Sequence, residues 1–169
     1  MNHARIIEIK NLQLARVNFY TIWIEDCPDS EFYDFTKRLS LNQKDKNELR
    51  ELLIFLKEIG NEHGALSRYF HHEAAAHALA VPYLRHIDID IENNDFGLRL
   101  YCLRLSESIV ILFNGDRKTT QTAQDCPNCA KYFRLAQRIT SIIDSEIREK
   151  NIIPIWKKLL FDNDFDLMF

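Results

Sequence analysis

The period of the apolar positions changes along this chain, and each change marks an element. Ala15 to Ile24 is rich in β-branched and aromatic residues and predicts a strand. Asp26, Cys27, Pro28 and Asp29 stop it, and Asp29 or Ser30 can accept a hydrogen bond from the first free amides of a helix. Phe32, Phe35 and Leu39 follow at helical spacing. A second helix is marked by an apolar stripe of Leu49, Leu52, Leu53, Leu56 and Ile59, with Lys44, Asp45, Glu48, Glu51 and Lys57 largely off it. Gly60 and Gly64 are placed to end that helix. Residues 65–80 predict a third, alanine-rich helix or an irregular segment, closed by Pro82.

After Pro82 the period becomes two. Ile87, Ile89 and Ile91 alternate with Asp88, Asp90 and Glu92, as in a strand with one buried and one wet face. Residues 93–97 have turn chemistry, Leu98 to Leu105 predicts a second strand, and Ile109 to Phe113 a third after a tight turn at Ser106 to Ser108. The third is apolar on both faces, which suits a central strand covered on each side. Asn114, Gly115 and Asp116 are expected to break it. A long helix begins near Asp125, Cys126 and Pro127, because proline is tolerated in a first turn, and runs through Phe133, Ala136, Ile139, Ile143 and Ile147. The order is strand, two or three helices, three strands, helix. It predicts an α+β layer fold in which the three consecutive strands form an antiparallel meander. One domain spans residues 1–150, and 151–169 form a C-terminal extension that either packs on it or is partly mobile.

Composition narrows the class. With 4 Gly and 4 Pro in 169 residues and 46% hydrophobic content, collagen-like and disordered chains are excluded. No apolar run approaches the ~20 residues of a bilayer span. Charges interrupt the N-terminal apolar residues, unlike a secretory signal, which predicts a cytoplasmic protein with no membrane partner, and its 4 Cys are expected to be reduced thiols. The net charge of −3 is unlike a nucleic-acid binder, yet it is unevenly spread. Residues 97–138 hold seven Lys and Arg against three Asp and Glu, a local balance of +4.

The middle of the chain carries a further signal. Arg99 and Tyr101 stand on one predicted strand, an apolar strand follows, and Arg117, Lys118 and Thr119 form a basic turn before a helix with Ala130 and Ala136. This succession, with Phe32, Phe35, Leu39 and the Leu52–Gly60 stripe before it, resembles the RelE/ParE/HigB toxin superfamily over about residues 15–140. The resemblance implies a RelE-like α+β fold, a curved antiparallel sheet with helices packed on it, and the toxin of a type II toxin–antitoxin system, a metal-independent endoribonuclease that cleaves messenger RNA, often on the ribosome. It also implies an antitoxin partner, expected to carry a helix-turn-helix, and no cofactor. Some relatives act on gyrase or have lost activity. The chain is longer than the compact members and more acidic.

Such cleavage needs a base for the 2′-hydroxyl, cations for the phosphate and a proton for the leaving oxygen. Arg99 and Tyr101, two apart on a strand, share a face. Arg99 and Lys118 are expected to stabilise phosphate charge, Tyr101 to position substrate, and His86 to transfer a proton near its ordinary pKa of about 6.5. Arg104, Arg117, Lys131 and Arg134 would contact RNA. The first alternative is a catalytically inert RelE-like interaction module that binds a partner protein.

A second alternative is a zinc-binding regulatory protein. Cys126 and Cys129 form a C-x-x-C at a helix start, where the dipole lowers a thiol pKa and could support redox or metal chemistry, the alternative being structural or incidental thiols; for zinc, His71, His72 or His77 would have to complete a site. His72 and His77 do not form a zinc-protease pair, since positions i and i+5 lie about 140° apart around a helix. The tail, residues 162–169, reads either as a frayed or core-capping terminus or as an acidic, aromatic segment folded over the basic strands.

Overall fold

Two strands far apart in sequence lie side by side at the centre of the molecule: β2 (Asn18–Ile24) runs parallel to β6 (Ile109–Arg117), with Asn18 opposite Ile109 and Thr21 opposite Leu112. This is a computed structural model, and it describes residues 1–73, 75–79 and 96–169. Before β2 comes β1 (His3–Gln13); after it come α1 (Glu31–Arg38), α2 (Gln43–Glu58), β3 (Phe70–Glu73), β4 (Ala76–Leu79) and β5 (Leu98–Arg104). Beyond β6 lie α3 (Ala130–Arg148), β7 (Ile153–Ile155), β8 (Lys158–Leu160) and β9 (Leu167–Met168). Among the described residues, seven strands form one sheet in the order β3-β4-β5-β6-β2-β1-β9, and β7 and β8 form a separate hairpin. The fold is α+β, but its sheet is mixed and not wholly antiparallel, because the helices between β2 and β6 return the chain in the same direction.

Alternation along the central strands divides the core in two. Phe19, Val110, Leu112, Leu100 and Cys102 face α1 and α2, meeting Phe32, Phe35, Leu52 and Leu56. Tyr20, Ile22, Ile111, Phe113, Tyr101 and Leu103 face the other way and meet Phe133, Ala136, Ile139 and Ile143 of α3. β6 is therefore covered on both faces, as its apolar run predicts. Each such fully buried side chain contributes about 1.5–3 kcal/mol relative to exposure.

Local chemistry sets the helix starts. Ser30 accepts the amide of Tyr33, Thr21 of β2 accepts the amide of Phe32, and Asn42 caps α2 through the amide of Asp45. α2 passes into a wider π-type turn over Ile59–His63 and ends at Gly64, whose φ of 79° a side chain would strain. Glu48 is not on the wet face of α2; it is buried and paired with Arg117. Residues 65–79 form no third α-helix: after a short 3-10 turn at Ser67–Tyr69 they make the β3–β4 hairpin. The hairpin's tip is held by Gln137 of α3, whose amide oxygen accepts the amides of Ala75 and Ala76. The predicted strand at residues 87–91 lies outside the described residues.

Two further differences matter for the site. β6 does not stop at Asn114 but continues through Gly115 and Asp116, paired with Leu100 and Arg99 of β5. The tail is neither frayed nor laid across β5 and β6. Its β9 pairs with His3 and Ala4 at the far end of the sheet, Asp166 pairs with Arg5, and Leu167 and Phe169 are buried. Among the described residues, no helix is long and apolar enough to cross a membrane.

The register of β5 and β6 shifts by one residue between Leu100 and Cys102, which presses Gly115 onto the backbone of Arg99. A Cβ at Gly115 would stand 1.7 Å from the Arg99 carbonyl oxygen. Because backbone must move to admit it, Gly115→Ala should lower stability by roughly 3 kcal/mol in urea unfolding, well beyond Gly64→Ala.

Candidate functional site

β2 and β6 are parallel neighbours whose following helices leave on opposite faces of the sheet, α1 on one and α3 on the other. In open α/β sheets the crevice beyond the carboxyl ends of such a pair is where ligands bind. Here it is filled by a connected set of the chain's own polar groups.

Arg38 is the hub. Its Nε donates to Asp34 at 2.8 Å, one terminal nitrogen to Asp116 at 2.9 Å, and the other to the Asn114 side-chain oxygen at 2.6 Å and the Gly115 carbonyl at 2.8 Å. Its guanidinium lies 4.6 Å from the ring centre of Tyr132 on α3. Asn114 is buried and fully satisfied. Its amide nitrogen donates to Glu31 at 3.1 Å and Asp34 at 2.9 Å, and its oxygen accepts from Arg38 and the Gly115 amide. The two carboxyls of α1 respond in opposite senses. Burial pushes Glu31 above the ordinary carboxylate range despite the Asn114 hydrogen bond. Burial also acts to raise Asp34, but hydrogen bonds from Asn114 and Arg38 outweigh it and hold Asp34 below its usual value.

The cysteine pair lies under the same strand end, on the α3 side. The Ala130 amide donates to the Cys126 carbonyl at 2.9 Å, so a helical turn precedes the regular part of α3, as the position of Pro127 implies. Cys126 Sγ accepts from the Thr119 amide at 3.4 Å, lies 3.6 Å from the Thr119 hydroxyl, and is hydrogen-bonded by Cys129. The thiols also meet backbone: Cys126 lies 3.8 Å from the Arg117 carbonyl and Cys129 3.6 Å from that of Asp116. Burial would raise the Cys126 pKa, but these donors bring it down to about 7. Burial beside Cys126 pushes Cys129 up to about 12. The surroundings thus favour the thiolate at Cys126 and the protonated thiol at its neighbour.

The predicted catalytic residues are placed very differently from one another. Arg99 is half-buried on β5, opposite Asp116. Tyr101 does lie on the same face, but it does not meet substrate: it is wholly buried, its ring 5.8 Å from that of Phe133, because α3 covers that face. Lys118 is also buried, its ammonium 5.6 Å from the Phe96 ring centre. His86 lies outside the described residues.

Among the predicted RNA contacts, Arg117 is tied to α2 by Asp45 at 2.7 Å and by Glu48, and Arg104 donates to the Ala65 carbonyl at 2.5 Å on the opposite face of the sheet. Lys131 and Arg134 are exposed on α3. The rings of His72 and His77 lie 4.8 Å apart, tilted by 48°, but His77 shares the Cys102 face of the sheet, away from Cys126 and Cys129. Among the described residues, no three His, Cys, Asp or Glu side chains converge as metal ligands.

The Arg38 network was invisible to periodicity. Its only sequence signal is the polar Asn114-Gly115-Asp116 directly after a fully apolar strand. No protein-family model, no curated protein and no solved structure matches this chain.

Removing the hub leaves Asp34 and Asp116 facing each other, so Arg38→Met should cost about 2 kcal/mol at pH 7, reduced from the fully buried case because Arg38 keeps some solvent contact. Asp34, with its lowered folded pKa, stabilises the wild type above the unfolded value near 3.9 and loses that contribution as pH falls through the folded value. The penalty of Arg38→Met should therefore shrink in acid, as read from urea unfolding at pH 7 and near pH 3.

Proposed function

We propose that this chain is a catalytically inert, RelE-like interaction module that binds an acidic, antitoxin-like protein segment through the exposed cations of α3. The observation that carries this reading is the internal engagement of the residues suited to phosphate chemistry. Arg117 is paired with two carboxylates of α2, Lys118 is buried against Phe96, and Tyr101 is sealed beneath α3. An RNA strand would have to compete with each of these contacts. Of the seven Lys and Arg between residues 97 and 138, Lys131, Arg134 and Arg138 are the exposed ones, and they recur at helical spacing along one face of α3. A row of this kind suits a strip of carboxylates on a partner and contributes more to encounter rate and orientation than to raw affinity.

A metal-independent endoribonuclease is the second reading. Arg99 favours it, reaching the surface at the same end of the sheet as the start of α3.

Induced expression in a bacterial host, with purified protein added to translating ribosomes, separates the two. Normal growth and intact messenger RNA are expected. Growth arrest with cleavage, relieved by Arg99→Ala together with Lys118→Ala, would replace the inert module with the nuclease.

A further inference from the structure

We infer that Cys126 and Cys129 form a thiol–disulfide exchange site, with Cys126 as the attacking sulfur and Cys129 as the resolving one, and a low-molecular-weight disulfide as co-reactant. This inference is independent of what α3 binds.

Three observations converge on it. The two cysteines stand three positions apart in one helical turn, closed by the Ala130 amide on the Cys126 carbonyl. Side chains three apart in such a turn lie on one side, at a Cα separation within the roughly 4.4–6.8 Å that a disulfide requires. The two thiols are hydrogen-bonding neighbours, and the sulfurs sit side by side beneath the end of β6, against the carbonyls of Arg117 and Asp116. Finally, Cys126 sulfur accepts the Thr119 amide and has the Thr119 hydroxyl 3.6 Å away, surroundings that stabilise a thiolate.

The opposed pKa directions of the pair agree with this division of labour. The remaining thiols differ. Cys102 is wholly buried with its pKa raised, and Cys27 is raised by burial and by the nearby carboxylates of Glu31, Asp26 and Asp34.

The exchange proceeds in two steps. Cys126 thiolate attacks one sulfur of R–S–S–R, forming a mixed disulfide and expelling RS⁻, which takes up the proton that Cys126 released. Cys129 then loses its proton and attacks Cys126 Sγ. The mixed bond breaks, the Cys126–Cys129 bond forms, and the second RS⁻ leaves as RSH. The protein is oxidised by two electrons and the small disulfide is reduced to two thiols. Both cysteines lie beneath the loop carrying Thr119 and Ala123, so that loop must open for the first attack.

The test equilibrates the full chain with mixtures of reduced and oxidised glutathione, quenches with acid and maps thiols by mass spectrometry. The expected product joins the peptides of Cys126 and Cys129, while Cys102 stays reduced. Cys129→Ser should stop at a glutathione adduct on Cys126, and Cys126→Ser should give neither product at this site. In the wild type, alkylation of Cys126 should rise with pH about a midpoint near 7, whereas an ordinary thiol titrates near 8.5. Absence of the Cys126–Cys129 bond in the wild type under oxidising mixtures, or adducts confined to Cys27, would overturn the inference even if a variant failed to fold.

Discussion

The structure depends on one guanidinium. Arg38 stands at the last turn of α1 and reaches β6 through Asn114, the Gly115 carbonyl and Asp116, while its flat face meets Tyr132 of α3. A parallel pair of strands with helices leaving on opposite faces opens a crevice at its carboxyl ends. Water or a ligand normally occupies such a place, and polar groups left there without partners would be costly. Here the fork geometry of arginine matches the donors and acceptors around it, and Asn114 uses all its hydrogen-bonding capacity. A network of this kind rigidifies when every member is satisfied. That satisfaction lets a strand continue through Asn-Gly-Asp, a sequence otherwise suited to a turn.

The continuation of β6 decides which groups are left for function. Because the strand runs on to Arg117, that side chain is delivered to Asp45 and Glu48 instead of to a mobile basic turn. Lys118 follows with its amide on the Gly97 carbonyl, and its ammonium folds over Phe96. The positive charge counted between residues 97 and 138 is thus divided. Part of it serves the joints between layers, and part remains on the outer face of α3. A charge balance read from sequence sees the sum and not the division, which is why a local +4 overstates the surface available to phosphate.

Much of the fold was legible because its signals are local. The cap of α1, the stripe of α2 and the glycine that ends it, the two-sided apolar run of β6 and the apolar face of α3 each sit within one segment. β1 was missed, although Ala4 and Ile6 are buried and alternate with exposed Arg5 and Ile7, because charges on its wet face mask a short apolar rhythm. The β3–β4 hairpin lies where composition predicts an alanine-rich helix or an irregular segment, since alanine favours helices until a tertiary acceptor such as Gln137 secures the alternative. For the candidate site, spacing correctly put Arg99 and Tyr101 on one face, but nothing local says that α3 lies over it. The pairing of Arg117 with Asp45 spans 72 positions and leaves no periodic trace.

The cysteine pair binds these levels together. The carbonyls of Asp116 and Arg117 meet Cys129 and Cys126 on the α3 side, while the side chains of the same two residues hold α1 and α2 on the other. The last two residues of β6 are therefore gripped from both faces of the sheet, by thiols on one and by charges on the other. A disulfide has no S–H to donate, so closing it would remove the thiol grip and leave the charged one. The Arg117 carbonyl would keep the side-chain amide of Asn128, at 3.2 Å, so the loosening would be partial and local. Arg38 and the parallel seam beneath it would hold the fold, and the thiols would change only how firmly the strand end and the Thr119 loop are held. A chemical change confined to the least regular part of the core is one a protein can undergo without unfolding.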